Sequence, residues 1–290
     1  MKLVSVTPAR NEAPMLGLSL RALLQWVDAA VVLVHASTDS TLDIAHDVAD
    51  EHPGRVHVMI QNDPVWREMR DRQKLLNAAR QLRATHIAPI DADEVLTGNL
   101  LATIRGEVER LDYGRFLGIP MKNLHRSVHQ YRSDNGIWGA RAGTMLAFCD
   151  SPELSWQSTD GYDHHHRHPH GSRLARILKC EGGLMHLQFA DWRRLTAKHA
   201  LYKMVERVRW PAKDVAEIDR LYSLALNEEG AEFSPVPASW WQSYERSMSH
   251  LQLGGEPWQE AECRRMWDTH GAGTFDGLNL FGVVSEGVAA

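Results

Sequence analysis

The chain has 290 residues, 43% of them hydrophobic and 24% charged, which is ordinary for a globular protein with one sizeable core. Its formal net charge of −5 gives no electrostatic reason to expect a nucleic-acid binder. Three scattered cysteines without a C-x-x-C pair argue against a disulfide framework or a zinc–cysteine site. Since no signal peptide and no apolar stretch of about 18 residues is present, we expect a cytoplasmic protein without a transmembrane segment.

Short apolar runs alternate with helical patterns in the first part of the chain. Strands are predicted over residues 3–6, 29–34, 55–60 and 86–90, with helices over 16–26, 41–49 and 66–82 between them. This alternation predicts βαβ units on a parallel sheet. Ligands of such sheets bind at the carboxyl ends of the strands, so the turns that follow the strands are the places to search for a site.

The rest of the chain is less regular. Further strands are predicted over residues 116–121, 144–148 and 184–188, a loop over 150–172, and helices over 191–210, 215–230, 240–251 and 258–267. We therefore expect residues 1–189 to form an α/β catalytic domain, with a nucleotide-binding part over 1–98 and an acceptor part over 99–189. Residues 190–290 are expected to form a helical extension packed on this domain.

Two carboxylates separated by one residue, Asp91-Ala92-Asp93, follow the predicted strand 86–90. Alternate side chains need not stay on opposite faces once a strand turns, so both carboxylates can bind one hard cation such as Mg²⁺ or Mn²⁺. Such a cation neutralises the charge that grows on a diphosphate leaving group. An isolated D-x-D is more often an acidic turn facing water, but the position of this motif after a buried strand favours a functional role for the two carboxylates.

Two other turns also follow predicted strands, one over residues 7–12 and one over residues 34–41. Taken alone, each is explained by helix capping, by Asn11 in the first turn and by Asp39 or Ser40 in the second. Together with Asp91-Ala92-Asp93, however, both turns lie where a single nucleotide could contact all three.

In this order the three turns resemble those of family 2 glycosyltransferases, which carry a strand followed by Arg-Asn-Glu, then a Gly-Ser-Thr-Asp-Gly-Thr turn, then Asp-x-Asp. The continuation through Glu94-Val95-Leu96, the segment His186-Leu187-Gln188-Phe189 and the helix with Lys198 and Tyr202 are similar to the bacterial branch that adds sugars to the lipopolysaccharide core. The resemblance spans roughly residues 2–205. It implies a GT-A (Rossmann-like) mixed sheet flanked by helices, with a C-terminal helical extension.

The function that the resemblance implies is a metal-dependent glycosyltransferase of hexosyltransferase type. It would move a sugar, with inversion as in most of the family, from a nucleotide-diphosphate sugar to an acceptor hydroxyl. Pro8, Arg10 and Glu12 would line the pocket for the base and ribose, and Ser37 and Asp39 would close this pocket from the second turn.

The remaining implied roles concern the pyrophosphate and the metal. Asp91, with Ala92 beside it, would face the ribose and the metal shell, and Arg72 would lie near the pyrophosphate. Asp93 would bind Mn²⁺ or Mg²⁺ directly, and His186 would be a further metal ligand or would contact the diphosphate.

His35 departs from the family pattern, because the family usually has at this position an acidic residue that reads the nucleobase. Ala36 likewise replaces the usual glycine of the second turn. We keep His35 among the nucleotide-binding residues. The identity of the base stays open, with UDP as the family's usual donor nucleotide and guanine as an alternative base.

An inverting transfer needs a carboxylate that takes the proton of the acceptor hydroxyl. Asp160 and Asp163 are the first candidates, and Glu94 and Glu181 are weaker ones. Five histidines follow within residues 164–170. They are interpreted mainly as part of a solvated loop, although one or two could contact the donor or acceptor, or bind zinc.

Two other functions remain open at this stage. A sugar-phosphate nucleotidyltransferase also holds Mg²⁺ at strand ends, although residues 7–14 lack the glycine-rich loop that would favour it. A non-catalytic carbohydrate- or metal-binding protein would use the histidine loop. The acceptor is equally open: a glycan, a protein side chain and a modified nucleic-acid base are all chemically possible.

Overall fold

The structure, a computed structural model, describes residues 1–156 and 167–284. These residues form a nine-stranded mixed sheet flanked by helices, and a separate two-stranded ribbon. The strands are β1 Leu3–Ala9, β2 Ala29–His35, β3 Val56–Gln61, β4 His86–Pro89, β5 Glu94–Leu96, β6 Arg115–Asn123, β7 Gln130–Arg132, β8 Gly143–Cys149, β9 Arg173–Ile177, β10 Leu184–His186 and β11 Phe233–Pro235. The α-helices are α1 Ala13–Leu23, α2 Thr41–Glu51, α3 Glu68–Gln81, α4 Ile104–Glu109, α5 Trp192–Arg209, α6 Val215–Ser223, α7 Ala238–Trp241 and α8 Trp258–His270. Short 3₁₀ segments lie at Gly98–Leu100, Leu187–Phe189, Leu224–Leu226, Ser247–His250 and Ala272–Phe275.

Strand β1 is the centre of the parallel half of the sheet. It pairs in parallel with β2 on one side and with β4 on the other, and β3 continues the sheet beyond β2. Helix α3 packs on one face of these strands, and α1 and α2 pack on the other. Because both faces are covered, β2 is a continuous buried apolar run, as the sequence predicts, whereas β3 at the edge is only partly buried. The predicted βαβ units are confirmed, and the carboxyl ends of β1, β2 and β4 meet at one edge.

The other half of the sheet is mostly antiparallel. Strand β8 runs antiparallel to both β4 and β6, and the short strand β10 lies between β6 and β5. The register places His186 opposite Asn123 of β6 and Glu94 of β5. The predicted strand 184–188 ends at His186, where a 3₁₀ turn begins. Strand β10 therefore brings His186 to the turn that follows β4.

Four short strands are absent from the sequence prediction: β5, β7, β9 and β11. Three of them have only three residues, too few to show an alternating pattern, and four of the five side chains of β9 are exposed. Strand β11 lies in the C-terminal part of the chain and pairs with β7. The C-terminal extension is therefore mostly helical, but one of its segments adds a strand to the main domain.

The predicted helix over residues 240–251 is wrong as a single element. Helix α7 ends at Trp241, and Ser243 has a φ of 75°, a left-handed conformation that interrupts a right-handed helix. A 3₁₀ segment, Ser247–His250, follows. The predicted helix 215–230 is also shorter, because α6 ends at Ser223.

One group of C-terminal aromatic residues packs against the main domain, while Trp258 and Trp267 pack against α5 within the extension. Trp240 and Tyr244 belong to the same buried cluster as Met15 and Leu18 of α1. Aromatic side chains bury large apolar areas, so this contact holds the extension on the sheet domain. Within residues 1–156 and 167–284, no helix combines the length and the apolar character that crossing a bilayer requires.

Candidate active site

The turn after β1 and the turn after β2 are held together by hydrogen bonds. The backbone N–H of Asn11 donates to Ser37 Oγ (3.0 Å), and that of Ala13 donates to Asp39 Oδ2 (3.2 Å). In return, the backbone N–H of Thr38 donates to Asn11 Oδ1 (2.7 Å). Ser37 and Asp39 were predicted to close the nucleotide pocket. Here their side chains accept hydrogen bonds from the backbone of the first turn and fix its shape.

Pro8 and Arg10 lie at the end of β1. Pro8 is half-buried beside Leu33 of β2. The Nη1 of Arg10 donates to Pro64 O (3.1 Å), and its guanidinium lies 5.8 Å from the ring centre of Trp258 in α8. Arg10 therefore joins the turn after β1 to the loop after β3 and to the C-terminal extension.

His35, the last residue of β2, is buried and paired with an acidic residue of α3. Its Nδ1 donates to Asp71 Oδ2 at 2.7 Å, and both side chains are 1% exposed. Its Nε2 is buried without a hydrogen-bond partner. The ring of Trp66 lies edge-on to His35, 4.9 Å between centres, and covers it. An acidic group is thus present next to position 35, but it is the carboxylate of Asp71 in α3, which is bound to the imidazole of His35.

Glu12 begins α1 and faces a cluster of charges. Arg194 of α5 donates to Glu12 Oε2 at 2.7 Å and to the carbonyl of Asn11 at 2.9 Å. Burial raises the pKa of Glu12 to about 7 despite the attraction of Arg194, and the charge of Asp93 adds to the rise. Glu12 is therefore placed beside the D-x-D turn and retains a proton more readily than an ordinary glutamate.

The first aspartate of the D-x-D motif lies between two arginines. Arg72 Nη2 donates to Asp91 Oδ1 (3.2 Å), and Arg167 Nη2 donates to Asp91 Oδ2 (2.6 Å). Arg167 also holds Glu94 through two hydrogen bonds of 2.8 and 2.5 Å. Burial opposes ionisation of Asp91, but Arg167 and Arg72 hold its pKa below the ordinary value. Ala92 is buried in the core between the two aspartates.

The second aspartate of the motif faces a histidine. His186 Nε2 lies 3.4 Å from Asp93 Oδ2, and His186 Nδ1 donates to Asn123 Oδ1 at 3.2 Å. Burial lowers the pKa of His186, but the negative charge of Asp93 raises this pKa by a larger amount, so the net shift is upward. Burial likewise opposes ionisation of Asp93, and His186 holds the pKa of Asp93 below its ordinary value. The two side chains converge on one space.

These side chains fit a divalent cation with two protein ligands. A carboxylate oxygen and an imidazole nitrogen suit Mn²⁺. The oxygen of Asn123 accepts from the other ring nitrogen, where a carboxylate or backbone carbonyl usually orients a metal-bound histidine. Across the described residues no group of three acidic, histidine or cysteine side chains is arranged to hold a metal. Mg²⁺ and Mn²⁺ sites that act on nucleotides often need only one or two protein ligands, since substrate phosphates supply others.

The predicted catalytic bases Asp160 and Asp163 lie outside the described residues, which omit 157–166. Of the weaker candidates, Glu94 is engaged by Arg167 and Glu181 is exposed. His168 stacks on Phe116, 5.6 Å between ring centres, so this member of the histidine run contacts the start of β6.

Three basic residues of the site are missing from the predicted set: Arg167, Arg194 and Lys198. Lys198 donates to Gln188 Oε1 at 2.5 Å. Burial lowers its pKa, but Tyr202, Asp93 and Glu12 raise it by more, so the net shift is upward. Arg194 and Lys198 are four residues apart, so they lie on one face of α5. That spacing is visible in the sequence, but nothing in it connects either residue with the acidic turns.

A match to a known family shows which family the chain belongs to. Residues 5–161, more than half of the chain, match the family described as Glycosyl transferase family 2. The chain belongs to glycosyltransferase family 2. Its mixed sheet flanked by helices is the GT-A fold. All three turns at the carboxyl ends of β1, β2 and β4 lie within the matched segment.

Solved structures similar to this family 2 glycosyltransferase include a TarS fragment, residues 1–349, from S. aureus. It shares 12% identity at a TM-score of 0.42, over 79% of this chain and 72% of that one. Another is the mannosyltransferase PcManGT from Pyrobaculum calidifontis in complex with GDP-Man and Mn²⁺, with 10% identity and a TM-score of 0.36 over 92% of this chain and 80% of that one. No curated protein matches the chain.

The raised pKa of Glu12 predicts a pH-dependent stability of this glycosyltransferase. A carboxyl whose pKa is higher in the folded state stabilises the fold below its ordinary pKa, and this contribution is lost as the pH rises to about 7. Between pH 5 and 8, urea unfolding should show a loss of about 2 kcal/mol in the wild type that is missing from Glu12→Gln. Parallel pH profiles of the two proteins would contradict the assignment.

Proposed function

We propose that this glycosyltransferase transfers a hexosyl group from a nucleoside-diphosphate sugar and depends on Mn²⁺ or Mg²⁺. One observation carries the proposal: the turns after β1, β2 and β4 meet His186 of β10 at a single edge, where carboxylates, an imidazole and arginines converge. This set of groups suits a ligand that combines a metal ion with phosphate oxygens. The resemblance to the lipopolysaccharide core branch remains part of the proposal, as does inversion at the sugar carbon.

Asp93 and His186 would hold the metal, with Asp91 in its outer shell. Once bound, the metal would act as a Lewis acid that neutralises the departing diphosphate. The chain itself fixes the ligands beforehand: Asn123 orients the imidazole, and Lys198 adds positive charge beside Asp93. Preorganised charges of this kind need no rearrangement when the leaving group develops its charge.

The nucleoside would lie over the turns after β1 and β2. Pro8 and Glu12 would border it on one side, and Ser37 and Asp39 would keep the first turn in the required shape. His35 would lie at the base, with its unpartnered Nε2 available to it. Trp66 would have to move off His35 before a base could reach that nitrogen. Arg72 would contact the diphosphate, since its Nη1 is buried and has no hydrogen-bond partner.

The acceptor and the base that deprotonates it belong to the acceptor part of the chain, over residues 99–189. Asp160 and Asp163 remain the proposed bases, because Glu94 is bound by Arg167 and would have to exchange that partner before it could accept a proton. Residues 1–98 would hold the nucleotide, and residues 190–290 would support the site through Arg194 and Lys198.

Thermal shift measurements with UDP, GDP, CDP and ADP, each with and without Mn²⁺, test the donor assignment. We expect one nucleotide to raise the melting temperature by roughly 5 °C at about 100 times its dissociation constant, and only with Mn²⁺ present. His35→Ala should reduce the shift, because it removes the group at the base. The assignment fails if none of the four nucleotides changes the melting temperature of the wild type.

A further inference from the structure

Arg167 donates three hydrogen bonds to carboxylates at the D-x-D turn. Its Nη2 donates both to Asp91 Oδ2 (2.6 Å) and to Glu94 Oε1 (2.5 Å), while its Nη1 donates to Glu94 Oε2 (2.8 Å). The guanidinium is 13% exposed, and the Glu94 side chain is fully buried. Arg167 thus neutralises the two carboxylates that flank the metal ligand Asp93 in sequence.

The carboxylate of Asp91 has no free oxygen in this arrangement. Oδ2 accepts from Arg167, and Oδ1 accepts from Arg72, whose Nη1 is buried without a partner. A buried guanidinium N–H without an acceptor is costly, and the cost disappears when an anion binds. The unpartnered Nη1 of Arg72 therefore indicates that an anion belongs beside the two arginines.

The charges of this donor-free site nearly cancel. Among the described residues it contains five carboxylates and four Arg or Lys cations: the carboxylates are Glu12, Glu68, Asp91, Asp93 and Glu94, and the cations are Arg72, Arg167, Arg194 and Lys198. A divalent cation that arrived alone would leave a half-buried cluster with excess positive charge, which is unfavourable. A cation that arrives with a diphosphate brings its own negative charge, so the balance is kept.

We propose that Arg167 is a diphosphate-binding residue of the donor site, which pairs with Asp91 as well as Glu94 until the donor arrives. When the metal-bound nucleoside diphosphate enters, the guanidinium keeps the buried Glu94, exchanges Asp91 for a phosphate oxygen and so releases Asp91 to the metal shell. The inference rests on the proposed function. Carboxylate and phosphate oxygens accept the same hydrogen bonds from arginine, so the exchange preserves the number and kind of contacts.

Arg167→Gln separates this role from a structural one, because it should change two affinities in opposite directions. Without nucleotide, Mn²⁺ binding followed by electron paramagnetic resonance should tighten about tenfold, since a positive charge next to the metal ligands is removed. In saturating Mn²⁺, calorimetry should show UDP or GDP binding about tenfold more weakly, since a charged hydrogen bond to phosphate is lost. Affinity for uridine or guanosine should not change.

Arg80→Gln is the matched control. Arg80 makes a similar two-pronged pair with Asp150, at 2.8 and 2.9 Å, next to the amino end of β4 and away from the site. This variant loses a comparable ion pair and should leave both affinities unchanged. Glu94→Gln provides a second variant in case Arg167→Gln does not fold: it weakens the hold on Arg167 and should strengthen binding of the Mn²⁺–nucleotide complex.

The outcomes separate this inference from the proposed function. If the wild type binds Mn²⁺ and nucleotide, but Arg167→Gln changes neither affinity or weakens both, Arg167 is structural and only the inference is overturned. The same holds if Arg167→Gln does not fold and Glu94→Gln leaves nucleotide binding unchanged. If the wild type binds neither Mn²⁺ nor any nucleotide diphosphate, the proposed function and the inference fail together.

Discussion

Asp93→Asn is expected to reduce sugar transfer at least ~100-fold, because loss of a supporting outer-shell residue alone typically costs a metal site 10–100-fold. The amide keeps the shape of the side chain but loses the negative charge that binds the cation and faces His186 at 3.4 Å. Mn²⁺ affinity, measured by electron paramagnetic resonance, should fall in parallel with the rate. A nucleotide that stabilises the wild type only with Mn²⁺ should give no thermal shift with this variant.

The matched control is Asp150→Asn. Asp150 also follows a buried strand and pairs with a basic residue, Arg80, but it lies at the amino end of β4. This substitution should lower stability modestly and leave Mn²⁺ affinity unchanged. An active Asp93→Asn enzyme with unaltered Mn²⁺ affinity would show that the metal, if any, is held elsewhere.

The parallel half of the fold could be predicted because its strands are self-contained patterns. In β2, every residue from Ala29 to His35 is buried, so the strand appears as an uninterrupted apolar run. Strand β5 gives no such signal, since its three residues are fixed by pairing with β10, which lies almost 90 residues away along the chain. Its position depends on tertiary contacts that local patterns do not contain.

The C-terminal part was predicted less accurately for a related reason. Apolar residues from Trp240 to Leu251 have helical spacing, but they pack against α1 while the backbone turns at Ser243. Burial therefore preserves the spacing of the apolar side chains without a continuous helix. A periodic pattern shows which side chains are buried together, and the conformation between them depends on what they pack against.

The acidic half of the candidate site could be located from sequence because it follows strand ends, whereas of its basic half only Arg72 was included, through the family resemblance. Arg167 is 76 residues from Asp91, and Arg194 is 182 residues from Glu12. Nothing local distinguishes these arginines from ordinary surface arginines. The compensation of buried carboxylates by distant cations is set by the packing of the whole domain, although buried charges generally require such partners.

The second turn shows how one residue can fit two interpretations. Asp39, which precedes the N-cap residue Ser40, accepts at Oδ1 from the backbone N–H of Thr41, the first residue of α2, at 2.9 Å, and it also accepts from Ala13 of the first turn. Capping and shaping the nucleotide turn are therefore compatible roles. The capping signal in the sequence does not argue against a role in the site.

Gly183→Ala is expected to destabilise the protein by more than about 3 kcal/mol, which would lower its melting temperature by roughly 6 °C or more. Gly183 has a φ of 145°, and an added Cβ would lie 2.1 Å from the carbonyl oxygen of Pro120 in β6. That oxygen belongs to the backbone of a central strand, so it cannot move aside as a flexible side chain would. The start of β10 must therefore shift away from β6.

This shift should also reach the metal site, because His186 lies three residues further along β10 and is oriented by Asn123 of β6. We expect thermal unfolding to show the loss of stability, and Mn²⁺ affinity of the fraction that still folds to fall as well. Gly106→Ala, in α4, is the control: nothing lies within 4 Å of its added Cβ, and alanine favours a helix by about 0.5–1 kcal/mol. Equal melting temperatures for the two variants would mean that β10 can move without cost, and that the geometry of His186 is not imposed by the sheet.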